Sequence, residues 1–148
     1  MKKISKGLII VLVCLSALTT SVFAIDHGSI RSSSYIWGTD AYIEAGGNGK
    51  IAIYFSVTGI GRMTEIGATT IYLYEDNGST EKLVKTFRSS SLEYSNMMSQ
   101  NTAFYGDSVT YYDGIAGYEY RAEVYLKAAN ASGSDTVMEP TGTVRARN

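Results

Sequence analysis

Few residue types in this chain can do covalent chemistry, and their spacing decides which chemistry is open to them. The stretch GIGRMTEIGATT, Gly59 to Thr70, carries glycines at 59, 61 and 67 with one basic and one acidic residue between them. A phosphate-cradling loop ends in Gly-Lys-Ser/Thr, because the lysine and the hydroxyl serve the phosphates and magnesium. Here Gly67 is followed by Ala68. A dinucleotide fingerprint closes its glycine spacing quickly and opens a helix; Gly61 and Gly67 stand too far apart, and a strand pattern follows. The stretch therefore reads as a linker closing one end of the fold. Met63 and Ile66 are placed on one face of a single helical turn that plugs the core, and Glu65 points outward to cap or pair locally.

Nucleophilic chemistry is poorly supplied. The one cysteine, Cys14, lies in the leader discussed below, and the one histidine is His27. A Ser-His-Asp arrangement needs a histidine held rigidly by a third group, and a three-histidine zinc site needs more histidines than the chain has. Paired carboxylates for glycoside hydrolysis would have to come from Glu65, Glu75, Asp76, Asp107, Asp113 and Glu123. Most of these fall in turns or on wet strand faces. Asp76-Asn77 and Asp113-Gly114 are turn chemistry, and the regular acidic spacing of a calcium loop is absent. No cofactor or metal site is expected, and an enzyme is not.

The positive signal is aromatic. The chain has 12 tyrosines, and Tyr54, Tyr72, Tyr74 and Tyr125 fall on outward strand faces. Tyrosine offers flat apolar area with a hydrogen-bonding tip, useful against sugars and proteins alike. It also has high β propensity and forms stabilising cross-strand pairs. If the strands over 69–75 and 118–130 share a sheet, Tyr72, Tyr74 and Tyr125 form one patch, which is the candidate binding surface.

The ends of the chain set the compartment. Lys2, Lys3 and Lys6 precede the apolar run LIIVLVCL (Leu8 to Leu15), and Val22-Phe23-Ala24 supplies small residues for cleavage after Ala24. Residues 1–24 thus read as a secretory signal peptide. The run is short of the roughly 20 apolar residues of a spanning helix. Cleavage removes 24 of 148 residues and the cysteine with them. What remains is a disulfide-free exported domain that stands on its own core. Three of the 13 Lys+Arg also leave, so 10 face 14 Asp+Glu. That acidic balance disfavours nucleic acid and anionic membranes as partners.

Residues 25–34 (IDHGSIRSSS) read as a flexible arm, and 35–148 as one domain of strands and turns. Tyr35 to Ala45 is a strand interrupted near Gly38, and GGNG at 46–49 is a turn. Lys50 to Thr58 puts Ile51, Ile53, Phe55 and Val57 on one face, the mark of a half-buried strand. Thr69 to Glu75 repeats the style, a hairpin-type Asn77-Gly78 follows, and the return strand Leu83 to Arg88 has an ambiguous period. Residues 89–100 form a polar loop with apolar plugs, Thr102 to Tyr112 carries strand, and Asp113 to Gly117 is a turn. Tyr118 to Asn130 alternates cleanly, and Pro140 confines the last strand, Thr136 to Arg145, to an edge. About seven strands at this turn spacing imply an all-β fold, a single antiparallel β-sandwich.

Two resemblances add to this. Tyr120 to Asp135 (YRAEVYLKAANASGSD) resembles the F strand and F–G loop of fibronectin type III modules. The resemblance implies an immunoglobulin-like sandwich in which Tyr118 or Tyr120 is the corner tyrosine, with Trp37 the one tryptophan available to the core. Separately, GRMTEIGATTIYLYEDNGS and SVTYYDGIAGYEYRAEVYLKAANASGSD resemble a family of small secreted proteins of Gram-positive bacteria, a domain of unknown function, from about Gly49 to Val144. That likeness implies secretion and a sandwich, and supplies no catalytic residues.

The sequence thus points to a secreted, extracellular, non-enzymatic binding module acting through Tyr72, Tyr74 and Tyr125, with a cell-wall or other glycan as its ligand. An edge strand used for protein interaction or self-assembly is the alternative. A small secreted hydrolase is the remaining one.

Overall fold

The computed structural model describes residues 33–148; the expected signal peptide and most of the expected arm lie outside the described residues. Seven long strands carry the fold: β1 (Ile36–Ala45), β2 (Ile51–Met63), β3 (Glu65–Asp76), β4 (Glu81–Arg88), β6 (Thr102–Tyr111), β7 (Glu119–Asn130) and β8 (Gly133–Pro140). Two short ones, β5 (Met98–Ser99) and β9 (Val144–Arg145), complete it, and a 3₁₀ turn spans Leu92–Met97.

All pairings are antiparallel. The first sheet has the order β1-β2-β6 and the second β4-β3-β7-β8, with β5 extending the β4 edge and β9 the β8 edge. The two sheets pack as an all-β sandwich. Each inner face is written in period 2. Ile51, Ile53, Phe55 and Val57 of β2 are buried, as are Ile71 and Leu73 of β3 and Tyr120, Ala122, Val124, Leu126 and Ala128 of β7. Full burial of each large side chain contributes about 1.5–3 kcal/mol, which is how a chain without disulfides among the described residues holds together.

The opening stretch departs from expectation. Met63 and Ile66 are both buried, as plugs of the core should be, but no helical turn forms. Met63 pairs with Thr102 in the first sheet while Glu65 pairs with Ala129 in the second. The chain therefore crosses between sheets at Thr64 in extended form. Three extra residues of β2 bulge out before the crossing, between Thr58 and Met63. Gly61 in this bulge has φ +83, and Gly67 beyond it has φ +144. A Cβ on Gly67 would lie 2.2 Å from the Met97 carbonyl oxygen, so the glycine lets the 3₁₀ turn sit directly on β3. Glu65 pairs with Lys127 across the sheet at 2.7 Å rather than locally.

Trp37 is not a core residue: it is 80% exposed, because a bulge between Ile36 and Gly38 turns it outward. The ambiguous period of β4 also has a cause. A bulge opposite Leu73/Tyr74 inserts Val84, so the strand changes face midway; Phe87 is buried while Leu83 is half exposed. Of the two corner candidates, Tyr120 is the one that fits. It is fully buried, and its hydroxyl accepts a 2.9 Å bond from the Ile115 N–H in the loop before β7.

The base of the sandwich is sewn by the last residues. Ala146 exchanges backbone bonds with Tyr118 and Gly117, and the Gly49 N–H donates to the Arg147 carbonyl. At the other end, Asp135 of β8 accepts bonds from the Ser33 hydroxyl at 2.6 Å, the Ser34 N–H at 2.7 Å and the Tyr35 N–H at 3.0 Å. The last two residues of the expected arm are therefore held. Among the described residues no helix is long and apolar enough to cross a membrane.

Candidate functional site

β3 and β7 are neighbours at the centre of the second sheet, so the three candidate tyrosines share its outer face. The register places Thr70 opposite Tyr125, Tyr72 opposite Glu123 and Tyr74 opposite Arg121. Tyr72 and Tyr125 are diagonal neighbours, with ring centroids 5.7 Å apart and planes at 90°. This is the edge-to-face geometry that the aromatic quadrupole favours. Tyr74 lies under the Arg121 guanidinium, whose Cζ is 4.4 Å from the ring centroid, and its hydroxyl donates to Glu123 Oε2 at 3.3 Å. Burial, then the Glu123 charge, push the Tyr74 phenol above its ordinary pKa. It is a neutral donor at any physiological pH.

The patch extends sideways. Leu83 of β4 stands beside Tyr74 and Met138 of β8 beside Tyr125, 50% and 44% exposed. A charged rim encloses it. Arg121 binds both oxygens of Glu81 and also reaches Glu123 at 3.0 Å. These bonds, from Glu81 first, raise the Arg121 pKa, and the Arg121 bond lowers that of Glu81. Arg145 pairs with Glu119 at 2.8 Å. The structure thus brings Tyr72, Tyr74 and Tyr125 together. Tyr54 it places on the opposite side of the molecule, on the outer face of the first sheet, stacked on Tyr42 at 4.7 Å.

Five of the six carboxylates considered for hydrolysis are engaged separately; Asp76 accepts the Gly78 N–H at 2.8 Å, and Asp113 lines the cleft described below. Glu65 meets Lys127 and Glu123 meets Arg121. Asp107 accepts bonds from Asn96 at 2.8 Å and from Tyr105 at 3.0 Å. Burial, then this carboxylate, push the Tyr105 phenol up to about 12. Glu75, expected on no special face, lies on the inner face of β3 and is 2% exposed. Its Oε2 accepts the Tyr120 hydroxyl, and its Oε1 is 3.0 Å from the Lys82 ammonium, an ionic contact without hydrogen-bond geometry. Among the described residues no cluster of three or more His, Cys, Asp or Glu is placed to hold a metal.

What the sequence does not signal is a concavity on the open side of the sandwich. A cleft of about 390 Å³ opens between the β4 and β6 sides of the sandwich, walled by Ser108 to Asp113 and by Lys85, Glu93, Tyr94 and Asn96. The alternation of Thr102 to Tyr112 signals a strand, but nothing in it signals that one edge stays free.

No family model matches the sequence, and no curated protein does. Among solved structures, the chain is similar to the sporulation control protein Spo0M of Bacillus subtilis. The identity is 12% and the TM-score 0.41, over 74% of this chain and 49% of that one. The chain spans about half the length of that structure, and a likeness this slight carries no argument about function.

Proposed function

We propose that this protein is an exported, non-enzymatic binding module that engages a protein outside the cell through the outer face of its second sheet. The observation that carries the reading is the contiguous Tyr72, Tyr74 and Tyr125 cluster, flanked by exposed Leu83 and Met138 and rimmed by Arg121, Glu123 and Glu81. Aromatic residues, methionine and arginine are the types enriched at protein interfaces. A glycan ligand is less well served. A sugar ring stacks on a flat shelf, whereas Tyr72 and Tyr125 stand perpendicular and the face of Tyr74 is occupied by Arg121. Export is the reading of residues 1–24, with their basic start, apolar run and small residues before Ile25.

The test is co-sedimentation with cell envelopes of the producing organism, intact or stripped of protein by protease, beside a Tyr72→Ala/Tyr125→Ala variant that still folds. Binding to intact envelopes, lost on stripping and lost in the variant, is the expected result. Binding that survives stripping makes the ligand a glycan. Binding unchanged in the variant removes the tyrosine face from consideration. Amino-terminal sequencing of protein recovered from the medium tests export, with Ile25 expected first.

A further inference from the structure

The tyrosine face leaves the open side of the sandwich unused. There β6 is an edge of the first sheet and β4 an edge of the second. The 3₁₀ turn bridges the two at one end: Tyr94 packs against Phe87 of β4 with centroids 5.1 Å apart, and Asn96 bonds Asp107 of β6. Beyond the turn lies the cleft of about 390 Å³, one wall of which is the unbroken run Ser108 to Asp113.

That wall is backbone as well as side chain. The Ser108 N–H turns away from β2 and donates to the Asp107 carboxylate at 2.7 Å; the Phe104 N–H likewise turns toward the Thr102 hydroxyl. Backbone direction alternates along an antiparallel ladder. Thr110 therefore also aims its N–H and C=O away from β2, into the cleft. Among the described residues nothing outside the β2 ladder hydrogen-bonds the backbone of Thr110 or the Ser108 carbonyl. The other edges are engaged or irregular: β1 and the residues before it bond to β8 through Thr39 to Glu139 and through Ser33, Ser34 and Tyr35 to Asp135, and β4 carries the bulge at Val84. β6 keeps an unbroken register against β2 from Phe104 to Tyr111. A regular, unpaired edge is a template for another strand.

Lys85 on the facing wall sets the chemistry. Its ammonium is 5.8 Å from the centroids of both the Phe87 and Tyr94 rings, and it has no salt-bridge partner among the described residues. Glu93, the nearest acid in sequence to Tyr94, is taken by the Tyr94 hydroxyl at 2.7 Å. We propose that this cleft binds an extended peptide of a partner protein, which adds to β6 as a strand and turns one acidic side chain toward Lys85. Main-chain bonds supply the affinity and the Lys85 contact the selectivity. Glu93 and Asp113, which also line the cleft, disfavour a second acid. The site is separate from the tyrosine face, and neither reading depends on the other.

The test uses the full chain labelled with ¹⁵N and two acetylated, amidated probe peptides, Thr-Val-Glu-Val-Thr and Thr-Val-Lys-Val-Thr. The glutamate probe is expected to slow exchange of the Thr110 amide and to shift the resonances of residues 108–113. The lysine probe is expected to bind about fivefold more weakly, the upper range for a partly solvated ion pair. Lys85→Gln should erase that preference while binding persists. N-methylation of alternate probe amides should abolish binding, and so should Thr110→Pro, which removes an amide the β2 ladder does not use. No protection by either probe, or binding indifferent to N-methylation, overturns the proposal. So does a Thr110 amide already protected in the free chain, whether by its own residues or by a second copy. If Thr110→Pro does not fold, the N-methylated probes and Lys85→Gln decide the matter.

Discussion

Tyr120→Phe isolates the buried acid at the base of the sandwich. The substitution removes one oxygen and leaves the ring, so no cavity opens. Two bonds go. The first is donated to Glu75, a carboxylate 2% exposed; the second is accepted from the Ile115 N–H at 2.9 Å. A hydrogen bond to a buried charge contributes about 1.5–3 kcal/mol. The bond from the Ile115 N–H is neutral and adds about 0.5 kcal/mol, the low end for such a bond. The expected loss is about 2–3.5 kcal/mol, a large share of the roughly 5–15 typical of a domain. In urea, with a slope of about 1.5 kcal/mol per molar, the midpoint falls by about 1–2 M. Tyr118→Phe is the control: its hydroxyl makes no hydrogen bond among the described residues, and it should stay within about 0.5 kcal/mol of wild type. In a Glu75→Gln background the Tyr120→Phe loss should shrink to about 1 kcal/mol, that of a neutral bond. The acid limb supplies a second reading. Burial raises the Glu75 pKa, the Tyr120 and Lys82 contacts lower it, and the balance is below the usual glutamate range. A depressed pKa gives stability that is complete above the unfolded value and is lost as pH falls through the folded one. Without the hydroxyl the folded value climbs, so the variant should unfold at a higher pH than wild type. A stability within about 0.5 kcal/mol of wild type, or an unchanged acid limb, would refute this account of Glu75.

Three further outcomes are expected. Gly67→Ala should cost about 3 kcal/mol or more in urea unfolding, because its φ of +144 and a backbone oxygen 2.2 Å from the new Cβ leave no adjustment; wild-type stability would mean the 3₁₀ turn does not sit on β3 as described. A double-mutant cycle on Tyr72 and Tyr125 should give a coupling of about 0.5–1.5 kcal/mol, the range for an edge-to-face pair, and a coupling near zero would separate the rings. Asp135→Ala should speed amide exchange at Ser34 and Tyr35. The Ser33 hydroxyl first, against burial, holds the Asp135 carboxyl below its ordinary range. The same loosening should therefore appear in wild type only as pH falls through that depressed value.

Much of this fold was legible because its central strands, β2, β3 and β7, obey one rule, apolar in and polar out. The Asn77-Gly78 turn and the edge position of β8 followed from backbone chemistry in the same way, but the strand expected over Thr136 to Arg145 is two, β8 starting at Gly133 and ending at Pro140 and β9 resuming at Val144. The failures sit where that rule is broken by bulges. Val84 shifts β4 to its other face, Trp37 is thrown outward, and the extra residues before Met63 carry an extended crossing where a helical turn was expected. A bulge leaves no mark in residue types beyond an occasional glycine. Glu75 was hidden for another reason: its partners, Tyr120 and Lys82, come from two other strands. Of the surfaces, the tyrosine face could be read because it needed only two strands to be neighbours. The β6 edge could not, because a free edge is a property of what fails to pair.

The position of β7 has a consequence in time. Its partner on one side, β3, precedes it by a long stretch of chain, while β8 and β9 follow it. Loops of that length must close before any β3–β7 contact is rewarded, which places folding in the millisecond-to-second range of sandwiches. During that interval Val124, Leu126 and Ala128 can pair with β8 in a local hairpin but lack their β3 neighbours. Until β3 closes onto it, the inner face of β7 is open to wrong association. A variant that slows closure of that strand would lose yield to aggregation before it lost measurable equilibrium stability.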